Sequence, residues 1–205
     1  MNTYLLEIGL EEMPAQMILP AVEQLKSLVQ KTCENHQLSF NELRTFSTPR
    51  RLAVQIQGLP EKQEDRSIEL KGPPAAIAKD KDNHWTKAAL GFAAKNGVEP
   101  AQLQFREYEG KDYLFVQRIE LGQPVPELLQ AQLEQWISQL NFPKNMRWAS
   151  YKMRFIRPIR WIVSLWNKTV VPLKLEMVEA GNETRGHRFL SSGKGLLKDA
   201  ADYQE

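Results

Sequence analysis

A single cysteine, Cys33, in 205 residues excludes an internal disulfide, and no Cys/His set falls at zinc-binding spacing. No run of about 18 apolar residues occurs, so nothing reads as a membrane-spanning helix. The opening Met1-Asn2-Thr3-Tyr4-Leu5-Leu6-Glu7 lacks the basic-then-apolar layout of a secretory signal. These absences predict a soluble, cytoplasmic protein. Three histidines support no Ser-His-acid arrangement, and His36 and His84 stand in polar surroundings that predict solvated surface positions. There is no Walker-type glycine loop, and no dinucleotide fingerprint follows an expected strand. The most informative absence is acidic. Residues 141–161 contain no Asp or Glu, yet they carry six cations: Lys144, Arg147, Lys152, Arg154, Arg157 and Arg160. Phe142, Trp148, Tyr151, Phe155 and Trp161 are threaded among them. The whole chain is nearly neutral, with 27 Lys and Arg against 25 Asp and Glu, so the concentration is local.

What is present is ordinary for a globular chain. Hydrophobic residues make up 42% and charged residues 25%. At this length about 70% of the unfolded surface can be buried. Tyr4, Leu6 and Ile8 alternate with Leu5 and Glu7, a strand ending near Gly9. Pro14 suits a helix start, and Ile18, Val22, Leu25, Val29 and Cys33 recur at helical spacing. Leu52, Val54 and Ile56 predict a half-buried strand. Ile68-Glu69-Leu70 predicts a short strand running into a turn or loop at Lys71-Gly72-Pro73-Pro74. Thr86 caps a helix through Lys95, with Ala89, Phe92 and Ala93 inward and Asn96-Gly97 closing it. Phe105 to Tyr108 and Tyr113 to Leu121 form a hairpin around Glu109-Gly110-Lys111-Asp112. A further helix carries Leu129, Leu133, Trp136, Ile137 and Leu140 on one face. Strands are expected from Ile159 to Leu165, after Pro158, and from Val171 to Val178. Residues 61–66 are the best linker candidate, and residues 66–122 a candidate inserted module. Without a strict βαβ rhythm the class is α+β, with mixed or antiparallel sheets, packed helices and a small inserted α+β module. Residues 196–203 read as a helix just starting, which predicts an engineered fragment of a longer protein.

Four segments carry chemistry. Glu7, Glu11 and Glu12 lie where the first strand turns toward the first helix. Acids there suit the helix dipole, a basic partner surface, or, if they converge on a cavity, catalysis or metal binding. Thr48-Pro49-Arg50-Arg51 sets two guanidinium groups at a strand mouth, for an internal salt bridge or a ligand. In a strand they face opposite ways, so one at most reaches a given ligand. Gly181-Asn182-Glu183-Thr184-Arg185-Gly186-His187-Arg188-Phe189 brackets Arg185, His187 and Arg188 between glycines, a cationic anion-binding loop or a rigid turn. In the basic stretch Arg154, Arg157 and Arg160 are spaced by three, but Pro158 argues against one helical row. Arginine beside aromatics fits a nucleic-acid surface, an intersubunit surface, or solvated cations over a core.

Six motifs occur in order over nearly the whole chain. They are Leu6 to Pro14, Thr48-Pro49-Arg50-Arg51-Leu52-Ala53, Lys71-Gly72-Pro73, Met146-Arg147-Trp148, the block from Phe155 to Trp161, and Thr184-Arg185-Gly186-His187-Arg188-Phe189. Each alone is weak, but the set closely resembles the N-terminal part of the β subunit of bacterial heterotetrameric glycyl-tRNA synthetase. The departures are small. Ile8 and Leu10 stand where the first motif varies, and residues 79–83 are unusually charged. The resemblance implies an accessory region of an aminoacyl-tRNA synthetase over residues 1–190, with 191–205 leading toward downstream domains absent from the chain. The class II core, where glycine and ATP with Mg react, is expected in the α subunit, with no cofactor or metal in this part. Expected partners are the α subunit, tRNA(Gly) and the rest of the β chain, with no membrane. The resemblance supplies no catalytic residue, and the chain alone is expected to be inactive. Candidate tRNA or subunit contacts are Arg50, Arg51, Lys144, Arg147, Trp148, Arg154, Arg157, Arg160, Arg185, His187 and Arg188. Besides tRNA positioning and α-subunit docking, a purely structural interface and an editing-like hydrolase remain as alternatives. The editing alternative is disfavoured because a glycine site can exclude larger amino acids sterically.

Overall fold

A computed structural model describes residues 2–80, 84–150, 152–176, 178–186 and 193–204. In chain order these form β1 (Asn2–Leu10), α1 (Ala15–Asn35), β2 (Glu42–Thr48), β3 (Arg51–Leu59), β4 (Arg66–Pro74), α2 (Ala75–Ala78) and α3 (Lys87–Lys95). Then follow β5 (Gln104–Tyr108), β6 (Lys111–Glu120), α4 (Val125–Ser138), β7 (Met146–Arg147), β8 (Arg154–Phe155) and β9 (Ile159–Trp166). The C-terminal part holds β10 (Thr169–Val170), β11 (Ala180–Gly181), β12 (Glu183–Arg185), β13 (Lys194–Leu196) and a 3-10 turn, Ala200–Gln204. The class is α+β. Two compact units are present, one of Met1–Gln63 with Gln123–Glu205 and one of Glu64–Gly122.

The larger unit is organised by a sheet ordered β10-β9-β1-β3-β2, with β11 added parallel to β9. β1 is central because both neighbours pair with it along its apolar run, Ile8 lying between Leu52 and Ile162. Strand alternation sends Tyr4, Leu6, Ile8 and Leu10 to one face. There they meet the buried stripes of α1 (Val22, Leu25, Val29, Cys33) and α4 (Leu129, Leu133, Trp136, Ile137). The indole of Trp136 donates to Thr32 Oγ1 at 2.8 Å, joining the two helices, and its ring packs edge-on to Tyr4. Fully burying side chains of this size contributes about 1.5–3 kcal/mol each.

The other sheet face carries Leu5, Glu7 and Gly9 of β1, and it is covered too. Leu5, Trp161, Val163 and Leu165 pack with Ala200, Leu197 and Tyr203 of the C-terminal segment. Gln55 donates to the Ala200 carbonyl at 2.7 Å, and Arg44 to Gln204 at 2.7 Å. β3 is therefore buried on both faces, rather than half-buried as its alternation predicts.

In the smaller unit, β4-β6-β5 form a sheet that packs Leu114 and Val116 on Ala78, Ala89, Ala93 and Leu103. Thr86 caps α3, its hydroxyl accepting from the Ala89 amide at 3.5 Å. The hairpin turns at Glu109-Gly110, both at positive φ.

Three local expectations are corrected. Lys71-Gly72-Pro73-Pro74 continues β4 instead of turning, because β4 is an edge strand where a missing N–H is tolerated. Residues 171–176 form no strand; Val171 donates to the Ser164 carbonyl of β9 at 2.9 Å, Leu173 accepts from the Ala180 amide of β11 at 2.8 Å, and Lys174 bridges to Glu179. The expected helix at 196–203 is a short strand end followed by the 3-10 turn.

Burial holds the Cys33 thiol up at about 11, so it stays protonated. An unfolded thiol ionises near pH 8.5, so the fold should lose stability as pH rises from about 9 to 11, where only the unfolded chain releases this proton. At pH 8 a thiol reagent should modify Cys33 at least ~100-fold more slowly in the native chain than in urea. Equal rates would contradict the burial.

Candidate anion-binding interface

The basic stretch folds into a small ribbon leading back to the sheet. Phe142 and Phe155 are buried edge-to-face, 5.2 Å between ring centres, which fixes where the ribbon starts and ends. β7 and β8 pair antiparallel with Met146 opposite Phe155 and Arg147 opposite Arg154. Since Phe155 points inward, alternation turns Arg154 outward, and Arg147 with it. Like charges directly opposite are unfavourable by a few tenths to about 1 kcal/mol. Among the described residues, neither these guanidinium groups nor the exposed Lys144 ammonium has an acidic or hydrogen-bonding partner. Glu176 anchors the turn, accepting from the Lys152 and Met153 amides at 2.6 and 3.0 Å. Trp148 ties across the ribbon to the Phe155 carbonyl at 3.1 Å. Tyr151 lies outside the described residues.

Arg157 and Arg160 are engaged by their own chain. Arg157 Nε donates to the Glu12 carbonyl at 2.9 Å, and Arg160 Nε meets Glu11 Oε1 at 3.1 Å. The β1–β9 pairing brings Leu10 opposite Ile159, which places Glu11 beside Arg160. This replaces the helix-dipole expectation for the acids: α1 begins at Ala15 and has no acid in its first turn. Arg154, Arg157 and Arg160 fall on a strand, a loop and a second strand, not in one row.

The third acid has a different fate. Glu7 is fully buried on the second sheet face. Its Oε1 accepts from the Thr184 hydroxyl at 2.6 Å and from the Trp161 indole N–H. Its Oε2 accepts from the Tyr203 hydroxyl and faces Arg51 Nη1 at 3.5 Å. A buried carboxylate is tolerable only when paired and hydrogen-bonded, and here both oxygens are occupied. Burial, reinforced by the Glu7 charge, pushes the Tyr203 hydroxyl well above the usual tyrosine range, so it remains a donor. This carboxylate acts as a structural clasp between β1, β9, β12 and the Ala200–Gln204 turn.

Arginines surround the clasp. Arg51 also donates to the Arg185 carbonyl, so its internal salt bridge is realised. Arg50 and Arg185 approach the Trp161 ring at 5.9 and 5.2 Å. Arg50 precedes β3 in a turn, so strict strand alternation does not separate it from Arg51. Gly9 makes room for the indole: a Cβ placed there would lie 2.0 Å from the Trp161 ring. The Nε atoms of Arg50, Arg51 and Arg185 are buried and, among the described residues, without a partner. Beside this cluster opens a cleft of about 480 Å³, lined by Trp148, Pro158, Ile159, Arg160, Val178 and Arg185 among others. Arg185 lies in β12, paired with β13, which makes its segment ordered strand; His187 and Arg188 lie outside the described residues.

Nothing in the sequence pattern joins Thr184, Tyr203 and Glu7 as one network. One signal was present, since Glu7 is the lone charge inside the apolar run from Leu5 to Leu10.

The family model described as "Glycyl-tRNA synthetase beta subunit" matches residues 4–205. The glycine–tRNA ligase β subunit of Lactiplantibacillus plantarum is 46% identical over 203 residues, covering 99% of this chain and 29% of that protein. That of a Picosynechococcus species is 49% identical over 207 residues, again 99% and 29%. That of Listeria monocytogenes is 40% identical over 200 residues, 98% and 29%. The chain thus spans under a third of the length of these relatives. It belongs to the glycyl-tRNA synthetase β-subunit family, as an N-terminal region of it.

Proposed function

We propose that this chain is an accessory, non-catalytic region of a glycine–tRNA ligase that helps to position tRNA, while glycine and ATP react on a partner α subunit. The observation carrying this reading is the opposed, exposed pair Arg147 and Arg154, with no acid to neutralise either among the described residues. Two adjacent guanidinium groups on a stiff ribbon match successive backbone phosphates, and Lys144 extends the patch. Binding of this kind releases counterions and so weakens steeply with salt.

Titration of tRNA(Gly) at several salt concentrations tests it. Arg147→Ala with Arg154→Ala should weaken binding about tenfold at moderate salt and reduce the slope of log K against log salt by about two. An unchanged slope would overturn the RNA reading. If the same double variant instead loses its co-migration with isolated α subunit, the ribbon is a docking surface.

A further inference from the structure

Four guanidinium groups, from Arg50, Arg51, Arg160 and Arg185, gather where β9 begins, and the carboxylates they meet there are Glu7 and Glu11. Glu7 is already committed to three neutral donors besides Arg51. Among the described residues, the buried Nε atoms of Arg50, Arg51 and Arg185 have no acceptor. Unsatisfied buried donors are uncommon in folded chains and call for a specific reason. Of these three arginines Arg185 also lines an accessible cleft, and surplus donors there fit an anionic ligand.

The cleft adds shape to that charge. Its volume, about 480 Å³, falls within the range of small-ligand sites. Arg160 and Arg185 form its polar wall, while Trp148, Pro158, Ile159 and Val178 supply a flat aromatic and apolar one. The Arg160–Glu11 pair is about half exposed, so it holds Arg160 only weakly and leaves the other guanidinium nitrogens usable. We propose that this cleft binds a nucleoside phosphate, with the phosphate between Arg160 and Arg185 and the base against Trp148, Ile159 and Val178. A free mononucleotide and the terminal nucleotide of an RNA present the same chemistry. The site shares Trp148 with the ribbon but neither Arg147 nor Arg154, and it does not depend on the role of that arginine pair.

Calorimetric titration of the chain with AMP, adenosine and inorganic phosphate at low salt tests the assignment. AMP should bind at least ~10-fold more tightly than either component, and Arg160→Met and Arg185→Met should each weaken it about tenfold. Trp148→Leu should weaken AMP while leaving phosphate binding unchanged. Glu11→Gln, which releases Arg160 without emptying the cleft, should tighten AMP about twofold and covers the case in which an arginine variant misfolds. The Arg147→Ala, Arg154→Ala variant should bind AMP like the parent, whatever happens to its tRNA affinity. Displacement of AMP by a short 5′-phosphorylated RNA assigns the site to an RNA end; retention of AMP assigns it to the free nucleotide. No AMP binding at millimolar concentration, AMP no tighter than phosphate, or parent-like binding by well-folded arginine and tryptophan variants would overturn the proposal.

Discussion

Replacing Glu7 with alanine should destabilise the chain by about 3–5 kcal/mol, the range for breaking a buried ion pair at one partner. The loss is large because the carboxylate has many dependents. Arg51 keeps its charge and loses its counterion, while the donors on Trp161, Thr184 and Tyr203 lose their shared acceptor. Those donors belong to three different chain segments, so the substitution should also free the C-terminal segment from the sheet. Urea unfolding measures the first effect. Amide exchange at Thr184 and at Lys194–Leu196 measures the second, and should accelerate well before global unfolding. A cost under about 1 kcal/mol would mean that apolar packing, and not the clasp, holds the segment. Tyr203→Phe should lose only about 1 kcal/mol, since it removes one donor and leaves the ion pair intact.

Gly9→Ala is the second large effect. A methyl at this position cannot coexist with the Trp161 ring, 2.0 Å away. The indole must move, and in moving it leaves both Glu7 and the guanidinium groups of Arg50 and Arg185. We expect a loss of about 3 kcal/mol, the upper part of the range for overpacking. In a Trp161→Leu background the same change should cost less than about 1 kcal/mol, because the obstacle is gone. Equal costs in the two backgrounds, read from chemical denaturation, would show that the strand itself rejects the alanine.

Much of the fold was legible because local pattern and tertiary role agree. The stripe from Val22 to Cys33, the Thr86 cap and the alternation from Ile159 to Leu165 all describe faces that the structure buries. Two misreadings share one cause, which is that strand pairing depends on neighbours the pattern does not contain. Residues 171–178 have β-branched residues but find no partner strand in the described part. Glu42–Thr48 has only Leu43 and Phe46 as large apolar residues and shows no clear strand pattern, yet it pairs with β3 along its whole length. The second buried face was hidden for the same reason, because its cover arrives from residues near 200. At the site, the motifs contain the arginines that gather around β9 but do not say which acids and hydroxyls they meet. Glu11 meeting Arg160 and Glu7 meeting Tyr203 are contacts across 149 and 196 positions, the first set by the pairing of β1 with β9 and the second by the C-terminal turn that covers the sheet.

The central place of β1 has a consequence for synthesis. This strand can pair with β3 once residues 51–59 are made, but its other edge waits for β9, as Ile8 waits for Ile162. At about 5–20 residues per second, the ribosome leaves that apolar edge open for roughly 10–30 s. During that interval the nascent chain exposes unpaired backbone on a strand that is almost wholly hydrophobic, a template for wrong pairing. Chain order, more than the strength of any contact, then decides when the sheet becomes safe from aggregation. Products terminated before residue 166 should depend on chaperones far more than those that reach it.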